Sequence, residues 1–260
     1  MKEVFKYTFL SIAEWKKFLI VVLIVSILTL IEAFPVISIA AFLFEKLLYL
    51  SIGVFLIYIL KRSSTPEIYY ENLQKNHIST FLFHFLPSAS GILLALIIIG
   101  FFWFMFFILI LQFSGAMFIL VNPHNFLNAL ATTTFITKIL IGFYLIYFMF
   151  YSYIFLGKFG EALNKEEFKT AFIAMLSSLI DFKGWIKTFN LKYFIIFTIW
   201  SVIIFVIYTF TAFVYIFNIF PTIQTHPNFT LIIIPIFVGI TTILSYFTYF
   251  SAHFAYKAMD

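Results

Sequence analysis

Apolar residues fall in long runs along this chain, separated by short polar stretches. Six runs approach the ~20 residues that a helix needs to cross a bilayer core. They cover residues 18–34, 36–60, 88–113, 135–156, 193–217 and 231–250. Two further stretches carry apolar residues at helical spacing with charge on the other side. Phe5, Phe9, Ile12 and Trp15 share a face just before Lys16 and Lys17. Phe168, Phe172, Met175, Leu176 and Leu179 recur in the same way, with Glu161, Lys165, Glu166 and Lys169 mostly opposite. Helices of this kind lie in the membrane interface with the apolar face dipped in. The pattern predicts interfacial amphipathic helices over about 4–16 and 161–180, the second broken by Gly184, after which Trp185 anchors the next span. The expected fold class is all-α: a polytopic transmembrane helical bundle of six spans, forming a single integral membrane domain over 1–260.

The charges orient that bundle. Lys2, Lys6, Lys16 and Lys17 precede the first run; Lys61, Arg62 and Lys75 follow the second. Six lysines, from Lys158 to Lys192, separate the fourth from the fifth, and Lys257 follows the sixth. All fall on one side of the expected bundle, whereas the opposite connections at Pro35, 114–134 and 220–230 hold no Lys or Arg. This is the positive-inside pattern. It predicts cytoplasmic N- and C-termini, a multi-pass protein of the cell membrane, and contact with anionic lipid at the cytoplasmic face. Ser38-Ile39-Ala40 has the small-x-small form of a signal cleavage site. The long preceding region, with Glu3 and Glu14, argues instead for a retained first span.

Composition narrows the function classes. The chain has 260 residues, 63% hydrophobic and only 10% charged. A soluble domain carries about 25% charged residues, so a soluble enzyme, a disordered chain and a nucleic-acid-binding domain are all excluded. The net charge of +5 reads as membrane orientation rather than as nucleic-acid affinity. With no cysteine there is no disulfide, thiolate metal site, iron–sulfur cluster or cysteine nucleophile. Phe 40 and Tyr 15 read as lipid-facing and packing aromatics.

Ionisable residues within apolar runs are costly and mark candidate sites. Glu45 and Lys46 fall near the middle of the second run. As neighbours on a helix they point about 100° apart, which predicts that each seeks a different partner. Glu32 and Lys138 fall near the outer ends of the first and fourth runs; a salt bridge between them at similar depth is one reading, and interfacial residues reaching water is the other. Pro235 with Gly239 in the sixth run is a possible helix break of the kind transporters use at binding sites; a simple kink is the alternative. The segment 114–134 is mildly apolar and could be re-entrant. His124 and His226 are isolated from carboxylates and make no metal site.

No nucleotide-binding Gly-rich loop, His-Glu-x-x-His or Gly-x-Ser-x-Gly motif occurs, so neither an enzyme nor a cofactor is expected. The segments FKYTFLSIAEWKKFLI, TPEIYYEN, EALNKEEFKTAFIAML and SAHFAYKA together resemble an uncharacterised prokaryotic membrane family, the domain of unknown function 4013 family. That resemblance implies a six-span architecture and no known activity. The expected function is a permease-like component of a transport system, with a membrane or cytoplasmic partner subunit docking on residues 158–192. The alternative is a structural or assembly subunit of a membrane complex.

Overall fold

The computed structural model describes residues 1–113, 134–215 and 227–259. The segment 114–133, His124, His226 and the end of the expected fifth span lie outside these residues. Among the described residues the chain is helical throughout, with no strand. In chain order the helices are α1 (Lys2–Ala13), α2 (Trp15–Ile31), α3 (Ser38–Lys61), α4 (Pro66–Lys75), α5 (Ile78–Phe83) and α6 (Leu86–Phe113). They continue with α7 (Phe135–Leu163), α8 (Phe168–Leu176), α9 (Phe182–Thr188), α10 (Leu191–Val214) and α11 (Thr230–Met259). Five helices are long and apolar enough to cross a membrane: α3, α6 (continuous with α5 by that measure), α7, α10 and α11. They are the signature of a multi-pass membrane protein.

The boundaries are written in the side chains. Thr65 accepts a hydrogen bond from the Ile68 amide at 3.3 Å, and Pro66 fills the first position of α4. Thr134 does the same for α7, Asp181 for α9 and Asn190 for α10. These are the side chains that satisfy the orphan amides of a helix start. Pro87 sits in the first turn of α6, where its missing N–H costs nothing.

Two expected spans are too short. The fourth run continues as helix to Leu163 and the sixth to Met259. Their last turns carry Gly157, Gly160 and Ala252, and these let the two helices approach closely. A Cβ on Gly160 would collide with the Ala252 carbonyl oxygen. Small residues at such a crossing are how membrane helices bring their backbones together. The stretch 161–180 is accordingly not one surface helix. Glu161 belongs to α7, and α8 is a separate wedge that packs on α6 and α7 through Ala171, Ala174 and Met175. At the N-terminus, α1 buries Val4, Tyr7, Thr8 and Ser11 against α4 and α11 and leaves Phe5 and Phe9 exposed.

One end of the bundle is bound by polar cross-links. The Lys61 ammonium donates to the Asn164 carbonyl at 3.2 Å, and the Ser88 hydroxyl to the Lys165 carbonyl at 2.8 Å. The Asn190 amide donates to the Ala258 carbonyl at 2.9 Å, and the Tyr193 hydroxyl to the Tyr153 carbonyl at 2.5 Å. These bonds gather one end of α3, α6, α7, α10 and α11 on the side that carries the lysine-rich connections. Nearby, the Lys158 ammonium, its side chain only 7% exposed, pairs with Glu161 at 2.7 Å and Asp181 at 2.5 Å.

Candidate functional site

The turn between α2 and α3 builds the first part of the site. Residues 32–37 reverse the chain through short-range bonds such as Phe34 N–H to the Ile31 carbonyl at 3.0 Å and Ile37 N–H to the Phe34 carbonyl at 3.2 Å. The reversal sets the last turns of α2 beside the second turn of α3. The Thr29 hydroxyl therefore reaches the Glu45 carboxylate at 3.5 Å while bonding the Val25 carbonyl at 3.0 Å. Glu45 is buried, at 6% exposure.

Glu45 and Lys46 are paired with each other, contrary to the separation expected from their positions on the helix. The reason is reach. A flexible lysine stem folds across 100° of helix surface when an apolar setting offers its ammonium few partners. The same ammonium lies 4.9 Å from the centre of the Phe42 ring. The charged neighbours of Glu32 are Glu45 and Lys46. One Glu32 carboxylate oxygen is buried without a hydrogen-bond partner. Lys138 stands on the first turn of α7, behind the Thr134 cap. The hairpin thus brings together three of the four ionisable residues singled out from the sequence. The trio carries one net negative charge when all are ionised.

Pro235 and Gly239 form no break. Pro235 lies in the second turn of α11, where only its own missing N–H is lost and the helix closes past it. Open space surrounds the position where Gly239 would carry a Cβ.

Lys46 also forms the rim of a cleft of about 390 Å3 to which all five long helices contribute. One turn on from Glu45, Tyr49 places its hydroxyl 3.0 Å from that of Thr242, and the Tyr249 hydroxyl donates to the Tyr49 carbonyl at 2.9 Å. The Trp200 indole N–H donates to the Thr248 hydroxyl at 3.1 Å. Thr241, Ser245 and Thr248 line the cleft from α11, Tyr208 from α10, and Leu93, Leu96 and Phe159 close it from α6 and α7. The arrangement offers one ammonium, several hydroxyls and an indole inside an otherwise apolar bundle. Such a lining holds a small solute by a few directed polar contacts.

The hydroxyl-bearing residues are not ionisable and so do not stand out as charges do, yet they carry a signal in the sequence. Thr241, Ser245 and Thr248 recur at i, i+4 and i+7, one polar stripe on an apolar helix. Trp200 and Tyr208 had no such mark among so many aromatics. Among the described residues no group of three His, Asp or Glu side chains is placed to hold a metal ion. Comparison of the chain with family models, with curated proteins and with solved structures yields no match.

Proposed function

We propose that this chain is a six-span protein of the cell membrane with both termini in the cytoplasm, acting as the permease-like component of a transport system for a small polar or anionic solute. The observation that carries the reading is the cleft rimmed by Lys46, because it lies where all five long helices converge. Polar groups in such a place are costly and are kept where they serve a path or a site. The Glu32–Glu45–Lys46 trio beside it supplies titratable charge, as a carrier drawing on an ion gradient requires.

The sixth span is α2. Its 17 residues rise about 25 Å, and the turn to Phe34 extends it toward the ~30 Å of a bilayer core. It packs on α3 and α11. The lysine-rich end is then cytoplasmic, which puts the exposed Phe5 and Phe9 of α1 at the inner interface. A second reading, a structural subunit holding a partner through residues 158–192, draws on α9. Phe182, Ile186 and Phe189 recur there at helical spacing and are all exposed.

Flux separates the two readings. Vesicles reconstituted with the protein are offered a labelled panel of organic acids, amino acids and sugars. The permease reading expects uptake of at least one member above protein-free vesicles, abolished by Lys46→Gln at unchanged yield and melting temperature. Absence of uptake, together with a Lys46→Gln protein that is merely less stable or loses a co-purifying subunit, would favour the structural reading.

A further inference from the structure

A second cleft, of about 550 Å3, opens at the lysine-rich end, between the α1–α2 junction and the end of α4. Its walls are fixed to each other. The buried Lys17 ammonium donates to the Gln74 carbonyl at 3.2 Å, and the Tyr70 hydroxyl donates to the Ala13 carbonyl at 3.5 Å. Lys17 also lies 3.6 Å from Glu14, so both of these charges serve the scaffold. Lys16, Lys75 and His77 remain on the rim. Lys16 lies over the Trp15 ring at 5.9 Å. Lys75 pairs with Glu71, one turn back on α4, and the two side chains are 69% and 58% exposed. Exposed pairs of that kind contribute little and yield readily to a stronger anion. Counting Glu14, the three lysines leave the lining with two net positive charges before His77 is considered.

Beyond the cleft the surface of α2 is apolar. Trp15, Leu19, Leu23 and Ile27 follow one another at steps of four residues, and all four are exposed. They form one apolar stripe running from the cleft along α2. A soluble anion would use the basic rim alone. A phospholipid uses both parts, the phosphate on the lysines and a chain on the stripe, with the indole at headgroup level.

We propose that this cleft binds the phosphate headgroup of an anionic phospholipid, with an acyl chain laid along Trp15, Leu19, Leu23 and Ile27. The proposal rests on α2 lying in the bilayer but not on the transport reading, since lipid retention is measured without flux. The full chain is purified in mild detergent from membranes containing phosphatidylglycerol, washed with phosphatidylcholine micelles, and its retained lipid quantified by mass spectrometry. Wild type keeps phosphatidylglycerol. The Lys16→Gln/Lys75→Gln protein keeps roughly tenfold less, with an unchanged melting temperature. Lys183→Gln/Lys187→Gln, an equal charge loss elsewhere, behaves as wild type.

Three results would overturn the proposal. In the first, the Lys16/Lys75 variant is folded and retains phosphatidylglycerol as wild type does. In the second, both double variants lose lipid equally, which reports general surface charge. In the third, millimolar inorganic phosphate displaces the lipid and binds by itself, which makes the site one for a soluble anion. A spin label at Leu23→Cys, in a chain with no other cysteine, reports separately whether α2 lies in lipid. A label exposed to water would remove the acyl half of the proposal whatever the lipid count.

Discussion

Helices α3 and α10 have the same length, 24 residues each, and both are apolar enough to span a membrane. Their surroundings are opposite. From Leu48 to Leu60, α3 is buried nearly all round, gripped by α2, α5, α6 and α11. α10 is the more hydropathic of the two, yet among its residues only Tyr193 and Ile196 are buried. Hydropathy therefore says that a segment avoids water. It does not say whether protein or lipid replaces the water, because the two solvents are about equally apolar. What separates the helices is the shape and polarity of particular side chains. α3 carries Ser51 and Gly53, with Gly53 set against the Tyr249 ring, and Phe55 in mid-run is locked edge-on against Phe81. α10 presents Phe205, Phe210 and Phe213 outwards. Beyond Trp200, it contributes to the cleft mainly through Ile204 and Tyr208.

The sharpest test of this contrast removes a ring from each helix. Phe55→Ala leaves a cavity in the middle of the bundle and should lower stability by about 3–5 kcal/mol. Phe205→Ala, at a side chain 70% exposed, should change it by less than about 0.5 kcal/mol. Thermal or denaturant unfolding in one detergent reads both. Equal costs would mean that α10 is covered by protein, as a second chain or a partner would cover it.

A smaller effect probes how closely backbones approach. Gly160→Ala pushes a methyl into the Ala252 carbonyl, and the crossing of α7 and α11 must open, at about 2–3 kcal/mol. Gly142, on the same helix, has open space where its Cβ would stand. Gly142→Ala should be neutral or stabilise by up to about 1 kcal/mol, through helix propensity alone. Melting temperatures that fall together would show that the α7–α11 crossing is not the tight one.

The smallest effect is electrostatic and lies at the end of the bundle. Burial pushes the Asp181 carboxyl up. The Lys158 ammonium and the Gly184 amide hydrogen bond outweigh that, helped by the charge of Lys187, and hold it below its usual range. A carboxylate lowered by folding stabilises the fold above its unfolded value, near pH 4. The contribution is lost as pH falls through the lower folded value. Unfolding measured from pH 6 to pH 3 should therefore show an acid-labile component of about 1 kcal/mol or less, absent in Asp181→Asn, which keeps the helix cap. An identical pH profile in the variant would assign the acid sensitivity to other carboxylates.

Much of this was legible in the chain. Five of the six apolar runs fall on the five long apolar helices of the described residues, to within a few residues at most ends, because the cost of leaving backbone groups unpaired in lipid forces such a run into a helix. Glu32, Glu45 and Lys46 stood out because charge in an apolar run is rare. Their mutual arrangement did not, since it depends on how the Pro35 turn sets α2 against α3. The helical extensions past 156 and past 250 were hidden for a related reason. Polar residues such as Lys158, Glu161 and His253 mark the end of a hydropathic run, but here Lys158 pairs with Glu161 and Asp181, and His253 bonds Asn164.

The sequence by itself determined a helical membrane chain with most of its basic residues on the connections at one end, because length, apolarity and charge act locally and need no partner. Which helix became the hub, which faced outwards, and the gathering of Lys46, Tyr49, Trp200 and the α11 hydroxyls around one cleft were decided only by the tertiary structure. Those outcomes depend on side-chain shape at contacts between residues as much as two hundred positions apart, such as Tyr49 and Tyr249, and no local pattern carries that information.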